Sequence, residues 1–188
     1  MRRNLYLLGL VVLVLLVGCA TVNTIPVHSL EPLGMFPFSA IVLDVDQNVA
    51  EDAQQQAFDL QIRVVEELNR TAAIPEVRLS HPDVSDDGAL LVRVSVEGMR
   101  KVSGAARFFL GSFAGKASMT TEVTFLDGSS GEMLGIYQIT GKSGGSGMSG
   151  GTDDAVVQTA DGIVAIICET YGFTPPKPER SSAVEEEF

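Results

Sequence analysis

The amino-acid sequence predicts an α+β fold: a mostly antiparallel sheet of about five strands with two amphipathic helices packed on one face. Several segments alternate apolar and polar residues, which is the period of a strand with one buried face. Two longer stretches repeat apolar residues every three or four positions, which is the period of an amphipathic helix. Because the strands are polar on one side, they need a covering layer only on the other, and two helices supply it.

The first strand and the first helix follow a segment with three prolines and one glycine. Residues 19–38 show no lasting apolar period, and we expect them to form a tether rather than an element of the fold. Ser39–Asp46 alternates and predicts a strand. Asn48–Arg70 predicts a long helix, and its apolar stripe comprises Ala53, Ala57, Leu60, Val64 and Leu68.

Four further alternating segments predict the rest of the sheet. Turn-forming residues separate them, and the loop Asp127–Glu132 joins the last two as a hairpin. Each segment has apolar residues on one face and polar residues on the other, so each is expected to bury one side. The predicted strands are Glu76–Ser80, Leu90–Val102, Ala117–Leu126 and Met133–Lys142.

A second helix is predicted to close the fold. It covers Asp153–Tyr171, with Thr152 as its expected N-cap and two aspartates in its first turn. From residue 174 the composition becomes rich in proline and glutamate, which predicts a disordered acidic tail over 174–188. A single α+β domain is therefore expected over 39–173. The buried stripe of the helix is predicted to comprise Val156, Ala160, Ile163, Ile167 and Tyr171.

The N-terminus has the pattern of an export signal. Two arginines precede an apolar run, Leu5–Val17, which is shorter than the roughly 20 residues of a permanent transmembrane helix. The run ends in Leu16-Val17-Gly18-Cys19, which resembles the lipobox of bacterial lipoproteins. We therefore expect 1–18 to be a lipoprotein signal peptide and Cys19 to carry lipid at the start of the tether. A permanent membrane anchor and a twin-arginine signal are the weaker alternatives.

The expected localisation is the periplasmic face of the outer membrane, if the source is Gram-negative. The lipobox resemblance implies this, because Ala20 stands where an aspartate would signal retention at the inner membrane. Removal of Arg2 and Arg3 with the signal changes the formal net charge from −11 to −13. A chain with this net negative charge is not expected to bind nucleic acid, or to adhere to anionic lipid over a broad surface.

No catalytic, cofactor-binding or metal site is predicted. Gly145–Gly150 matches G-x-G-x-x-G, but neither a second parallel strand nor an acidic residue follows at the required distance. Asp83–Gly88 resembles the opening of a calcium loop but has Val94 at the twelfth position, so we interpret it as an acidic turn. Cys168 lies in an apolar helical run and is expected to be a small buried side chain.

Gly104–Lys116 is the segment whose composition best fits an interaction. It places three phenylalanines among glycines and between basic residues, inside an acidic protein. Such a segment is expected to meet the core, a partner protein or a membrane surface. The first alternative is a short helix that covers the sheet. The candidate interaction residues are Arg107, Phe108, Phe109, Phe113 and Lys116.

The same segment carries a family resemblance. Gly104-x-x-Arg107 is followed by Gly111, Gly115, a strand, a turn, a second strand, a Gly/Ser loop and an apolar helix. Over roughly Ser39–Tyr171 this order resembles the domain-of-unknown-function 4410 family of small bacterial lipoproteins. That family has no assigned activity, so the resemblance implies no catalytic residue. The order is also distantly similar to envelope lipoproteins related to the curli secretion lipoprotein and to the N-terminal domain of the Tol translocation protein, which act through protein contacts.

These patterns predict a lipid-anchored, non-enzymatic protein-interaction module in envelope assembly or maintenance. Its expected partners are the membrane, through Cys19, and an envelope protein or a second copy of itself. The alternative is a periplasmic small-ligand-binding protein or hydrolase that uses the Gly144–Gly151 loop. A ring-forming export component would need a long amphipathic membrane hairpin, and the Thr121–Thr140 hairpin is too short and too polar for that role.

Overall fold

A computed structural model describes residues 21–29, 36–46, 49–71, 74–81, 86–102, 115–144 and 151–175 of the 188-residue chain. Within these ranges the chain forms six strands and two helices. The strands are β1 (Thr21–His28), β2 (Ala40–Val45), β3 (Val77–Leu79), β4 (Ala89–Arg100), β5 (Ser118–Asp127) and β6 (Met133–Lys142). The helices are α1 (Glu51–Arg70), between β2 and β3, and α2 (Thr152–Tyr171), after β6.

The strands form one mixed sheet in the order β1-β6-β5-β4-β2-β3. The neighbouring pairs β1–β6, β6–β5 and β5–β4 are antiparallel, whereas β2 is parallel to both of its neighbours, β4 and β3. The predicted α+β class is confirmed, but the prediction of a mostly antiparallel sheet of about five strands is wrong. The prediction fails because α1 crosses between β2 and β3 and brings the chain back to the end of the sheet where β2 starts, so that β3 runs parallel to β2. Alternation reveals a buried face but not the direction of a strand.

β1 is the strand that the sequence prediction lacks. Thr21–His28 pairs antiparallel with β6 at one edge of the sheet, inside the segment predicted to be a tether. Its apolar residues Val22, Ile25 and Val27 do not keep one period, and all eight residues are exposed. Pro26 is tolerated because one side of an edge strand needs no backbone N–H donor. Backbone pairing with β6 adds this strand to the sheet, and Val22 also lies against Gly162 of α2.

Two phenylalanines ahead of β2 also belong to the folded body. Phe36 packs on Tyr171 at the end of α2, with ring centroids 5.0 Å apart and an edge-on angle of 86°. Phe38 lies 5.5 Å from Phe36, and Phe173 lies 5.4 Å from it. Edge-to-face pairs at these separations are favourable beyond the area they bury. The cluster ties the chain entering β2 to the C-terminal end of α2.

Both helices pack on the same face of the sheet, as the sequence predicts. One apolar core contains residues of both helices and of β2, β4, β5 and β6. The predicted stripes of the two helices are confirmed, because none of their ten residues is more than 7% exposed. The other face of the sheet carries a smaller apolar cluster of Ala40, Val42 and Ala89 with Leu91 packed against it. Beside that cluster, Arg93 on β4 forms an ion pair with Asp44 on β2 at 3.2 Å.

The start of α2 differs from the prediction. Thr152 is the first helical residue and not the N-cap, which is Gly151 without any side-chain hydrogen bond. Asp153 and Asp154 occupy the first turn as predicted, where a helix favours negative charge. The first turn is therefore stabilised by its carboxylates rather than by a hydroxyl cap.

Candidate functional site

Four strands have their termini at one end of the sheet. Thr21 at the start of β1 pairs with Lys142 at the end of β6, and Lys142 pairs with Ser118 at the start of β5. Ser118 pairs in turn with Arg100 at the end of β4. Adjacent strands lie about 4.8 Å apart, so this row of four residues spans roughly 14 Å. The start of β1, the β4–β5 connection and the start of the β6–α2 connection therefore all lie at this end of the sheet.

Ala117 and Ser143 hold two of these connections together. The Ala117 N–H donates to Oγ of Ser143 at 3.0 Å, and the Ser143 N–H donates to the Ala117 carbonyl at 2.9 Å. Both residues are fully buried. The chain that arrives at β5 and the chain that leaves β6 are thus joined by two hydrogen bonds immediately beyond the paired strands.

The side chain of Arg100 lies against Gly115, three residues before β5. Gly115 has a φ of +82°, which favours glycine, and a Cβ atom there would lie 2.9 Å from Nη2 of Arg100. The guanidinium of Arg100 therefore packs on a glycine that leaves it room. Lys101 and Lys142 are exposed at this end of the sheet, and Lys116 is half-buried. We call the four residues Arg100, Lys101, Lys116 and Lys142 the basic end.

Only one of the residues predicted to carry an interaction lies within the described ranges, namely Lys116. Arg107, Phe108, Phe109 and Phe113 lie outside the described residues, as does Cys19. Their neighbours in the chain are placed: the segment leaves after Val102 and returns at Gly115, both at the basic end. Sequence reasoning misses Arg100, Lys101 and Lys142. These residues are far apart in the chain, and only the strand register shows that they lie at the same end of the sheet.

The Gly/Ser loop of the alternative hypothesis also begins at the basic end. Gly144 and Gly151 are described, whereas residues 145–150 between them are not. Among the described residues no group of histidine, cysteine, aspartate or glutamate is arranged to hold a metal ion. Within the same ranges neither helix is long and apolar enough to cross a membrane.

The turn between β5 and β6 lies at the opposite end of the sheet. Oδ1 of Asp127 accepts the N–H groups of Ser129 and Ser130 at 2.8 and 2.9 Å, and these two bonds lower the pKa of the Asp127 carboxyl. Oγ of Ser129 accepts the N–H of Gly88 at 2.7 Å. The described part of the predicted acidic turn, Asp86–Gly88, is thus hydrogen-bonded to the hairpin loop, and the carboxyl groups of the two turns lie at the same end of the sheet.

The interface between the helices holds a half-buried carboxyl, Asp161, and a buried thiol, Cys168. Burial raises the pKa of Asp161, the nearby Glu67 raises it further, and Arg63 lowers it. Burial also raises the pKa of the Cys168 thiol, while a hydrogen bond with Thr71 lowers it. Cys168 is 1% exposed, so its prediction as a small buried side chain is confirmed. A protonated, inaccessible thiol is a poor nucleophile, so Cys168 is not a reactive cysteine.

Two solved structures share the fold. The PelC dodecamer from Paraburkholderia phytofirmans matches with a TM-score of 0.51 and 15% identity, over 79% of this chain and 96% of that chain. A variant PelC dodecamer from the same organism matches with a TM-score of 0.50 and 14% identity, over the same shares of both chains. At these identities the likeness shows the fold alone. No curated protein sequence matches this chain significantly.

A family model matches residues 21–147, which is more than half of the chain. Its description is a domain of unknown function, DUF4410. The match includes β1 to β6 and the whole connection between β4 and β5 but ends before α2, so the resemblance to this family is confirmed over residues 21–147 and not over the expected span to Tyr171. The chain belongs to the DUF4410 family.

Proposed function

We propose that this chain is a bacterial envelope lipoprotein, anchored by acyl chains on Cys19, that acts as a non-enzymatic protein-interaction module. The observation that carries the proposal is the pairing of Thr21 with Lys142 in the sheet. Thr21 is the second residue after Cys19, and two residues of chain reach at most about 7 Å. Acyl chains on Cys19 would therefore hold the basic end of the folded body directly at the lipid surface, with almost no intervening tether.

The segment with three phenylalanines supports a contact made near that surface. It leaves β4 and returns to β5 beside the N-terminus of β1, because Arg100, Ser118, Lys142 and Thr21 share one row. We propose that Phe108, Phe109 and Phe113, with Arg107 and Lys116, contact a protein at the periplasmic face of the outer membrane. Aromatic side chains and arginine are the residues that most often dominate such contacts.

The partner that we propose is a second copy of this chain. Copies anchored in one membrane through the same residue present the same segments at the same height, which raises their effective concentration for one another. The similar PelC chains are described as dodecamers. The sheet of this chain also has two edge strands, β1 and β3, and edge strands offer unpaired backbone groups to a neighbour.

The anchor is tested by mass spectrometry of the native protein. We expect a chain that begins at Cys19 and carries acyl chains on it, whereas a Cys19→Ser variant should remain unacylated and appear in the soluble fraction. Intact Met1 or an unmodified Cys19 thiol in the native protein would refute the anchor.

The interaction is tested by a photo-crosslinking residue at Phe109, with Ser130 at the opposite end of the sheet as the matched control. We expect covalent dimers from position 109 and few from position 130. Light scattering of the full mature chain with Cys19→Ser gives an independent readout of self-association. Uncrosslinked monomer from both positions, with a monomeric mass in solution, would refute the second copy as partner without affecting the anchor.

A further inference from the structure

Among the described residues, cations predominate at one end of the sheet and carboxylates at the other. Arg100, Lys101, Lys116 and Lys142 lie at the basic end, and the carboxylates on that side are Asp153 and Asp154 in the first turn of α2 and Glu97, three residues before Arg100 on β4. The net charge of the whole chain therefore conceals a local excess of positive charge at one end.

The opposite end has the reverse sign. Its carboxylates are carried by residues on the β3–β4 and β5–β6 turns and ahead of β3, and Arg78 is the cation near them, 4.0 Å from Asp86. Strands of ten residues separate the two ends by about 30 Å, several times the Debye length of about 8 Å at physiological salt. The two ends therefore act as separate electrostatic surfaces. The carboxylates in question are those of Glu76, Asp86, Asp87, Asp127 and Glu132.

We propose that the basic end is a contact surface for anionic lipid head groups, which fixes the folded body with its strands pointing away from the membrane. The inference rests on the proposed anchor at Cys19, which brings this end to the lipid surface. Each basic residue near an anionic membrane strengthens partitioning roughly fivefold. The carboxylates of the opposite end are repelled by the same surface, so attraction and repulsion favour the same orientation.

The geometry of the end supports this assignment. Arg100 and Lys142 belong to one row of paired residues, and Thr21, the described residue nearest the proposed anchor in the chain, belongs to the same row. Lys101 follows Arg100 and is exposed, so these charges lie on the rim of the sheet.

Amine-reactive footprinting tests the orientation with the lysines of the chain itself. The full mature chain is coupled through Cys19 to vesicles that contain a maleimide lipid, which holds the protein on the membrane whether or not the native protein is acylated. Cys168 is 1% exposed and does not compete for coupling. Lys101, Lys116 and Lys142 report the basic end, and Lys177, six residues beyond α2, is the internal control.

Vesicles of phosphatidylcholine are compared with vesicles that also contain phosphatidylglycerol. We expect labelling of Lys101 and Lys142 to slow about threefold or more in the anionic vesicles at low salt, and to recover at high salt. Labelling of Lys177 should be equal in both. Equal labelling of Lys101 and Lys142 in the two vesicles would overturn the inference and leave the anchor standing.

A matched pair of double variants isolates the charges. Arg100→Glu with Lys142→Glu reverses two charges of the basic end, and Arg70→Glu with Arg93→Glu reverses two exposed charges elsewhere. We expect the first variant to lose the lipid dependence of labelling at Lys101, and the second to keep it. Circular dichroism checks that both remain folded. If both variants keep the lipid dependence, the basic end is not the contact surface.

Discussion

Gly141 of β6 lies directly against Thr159 of α2, and the contact leaves no room for a side chain on the strand. A Cβ atom at Gly141 would lie 2.6 Å from the amide nitrogen of Thr159 and would also overlap its Oγ1 and the carbonyl oxygen of Ala155. The Thr159 hydroxyl is itself occupied, because it donates to the Ala155 carbonyl at 2.8 Å. The helix therefore approaches the sheet with its backbone close to the strand, two turns after the Gly/Ser loop.

Gly141→Ala is expected to lower the free energy of unfolding by about 1–3 kcal/mol, the usual cost of overpacking a core. Two of the three nearest atoms belong to the helix backbone, so α2 itself has to move. Gly98→Ala on β4 is the matched control, because a Cβ atom there would have no described neighbour within 4 Å. Urea denaturation of both variants measures the difference. Equal stability of the two variants would contradict the close approach.

A glycine of α2, Gly162, lies against the edge strand β1. A Cβ at Gly162 would lie 2.8 Å from Cγ2 of Val22 on β1 and 2.9 Å from Cγ2 of Ile139 on β6. Because these atoms are the ends of side chains, Gly162→Ala is expected to cost less than Gly141→Ala. Val22→Ala should recover part of that cost, and a double-mutant cycle measures the coupling. Strictly additive effects would show that β1 does not pack on α2 at this point.

The sequence predicts what depends on periodicity and misses what depends on pairing. Spacing alone assigns Leu60 and Val64 to the core of α1, and β6 has the bounds that its alternation predicts. The strand β1 escapes prediction because Pro26 and an irregular apolar pattern hide an element held by backbone bonds. The basic end escapes it for a related reason: only the register that places Thr21 beside Lys142 shows that distant segments meet.

Asp161 is expected to make the protein less stable as pH rises. Burial, followed by the charge of Glu67, raises its pKa above 3.8, so the folded state binds a proton more tightly than the unfolded state. Its contribution to stability is full below pH 3.8 and is lost as pH rises through the raised pKa. Asp161→Asn should therefore stabilise the protein more at pH 7 than at pH 3.

The test compares the free energies of unfolding of wild type and Asp161→Asn from pH 3 to pH 7. Glu67→Gln removes the repulsive neighbour and should reduce the pH dependence without abolishing it, because burial is the larger cause. A constant difference between wild type and Asp161→Asn at all pH values would contradict the raised pKa.

Asp127 is expected to make the protein more stable as pH rises, the opposite of Asp161. The backbone N–H groups of Ser130 and Ser129 lower its pKa, so its contribution is present above pH 3.8 and is lost as pH falls through the lowered pKa. Asp127→Asn keeps an oxygen acceptor but removes the charge. We expect this variant to be less stable than wild type at neutral pH and to approach it in acid. A variant that stays equally destabilised in acid would assign the effect to lost geometry instead of lost charge.

Ser143→Ala tests the pair that joins the two connections at the basic end. The substitution removes the acceptor of the Ala117 N–H, and Ala117 is fully buried, so an unsatisfied donor should cost about 1–3 kcal/mol. Ser130→Ala is the matched control, because its Oγ accepts the Glu132 N–H at 3.2 Å in an exposed turn, where water replaces it. Urea denaturation should show the larger loss for Ser143→Ala, and hydrogen exchange at the Ala117 amide should accelerate. Since β5, β6 and both connections meet at this pair, unchanged exchange at Ala117 would mean that the hydroxyl does not hold the basic end together.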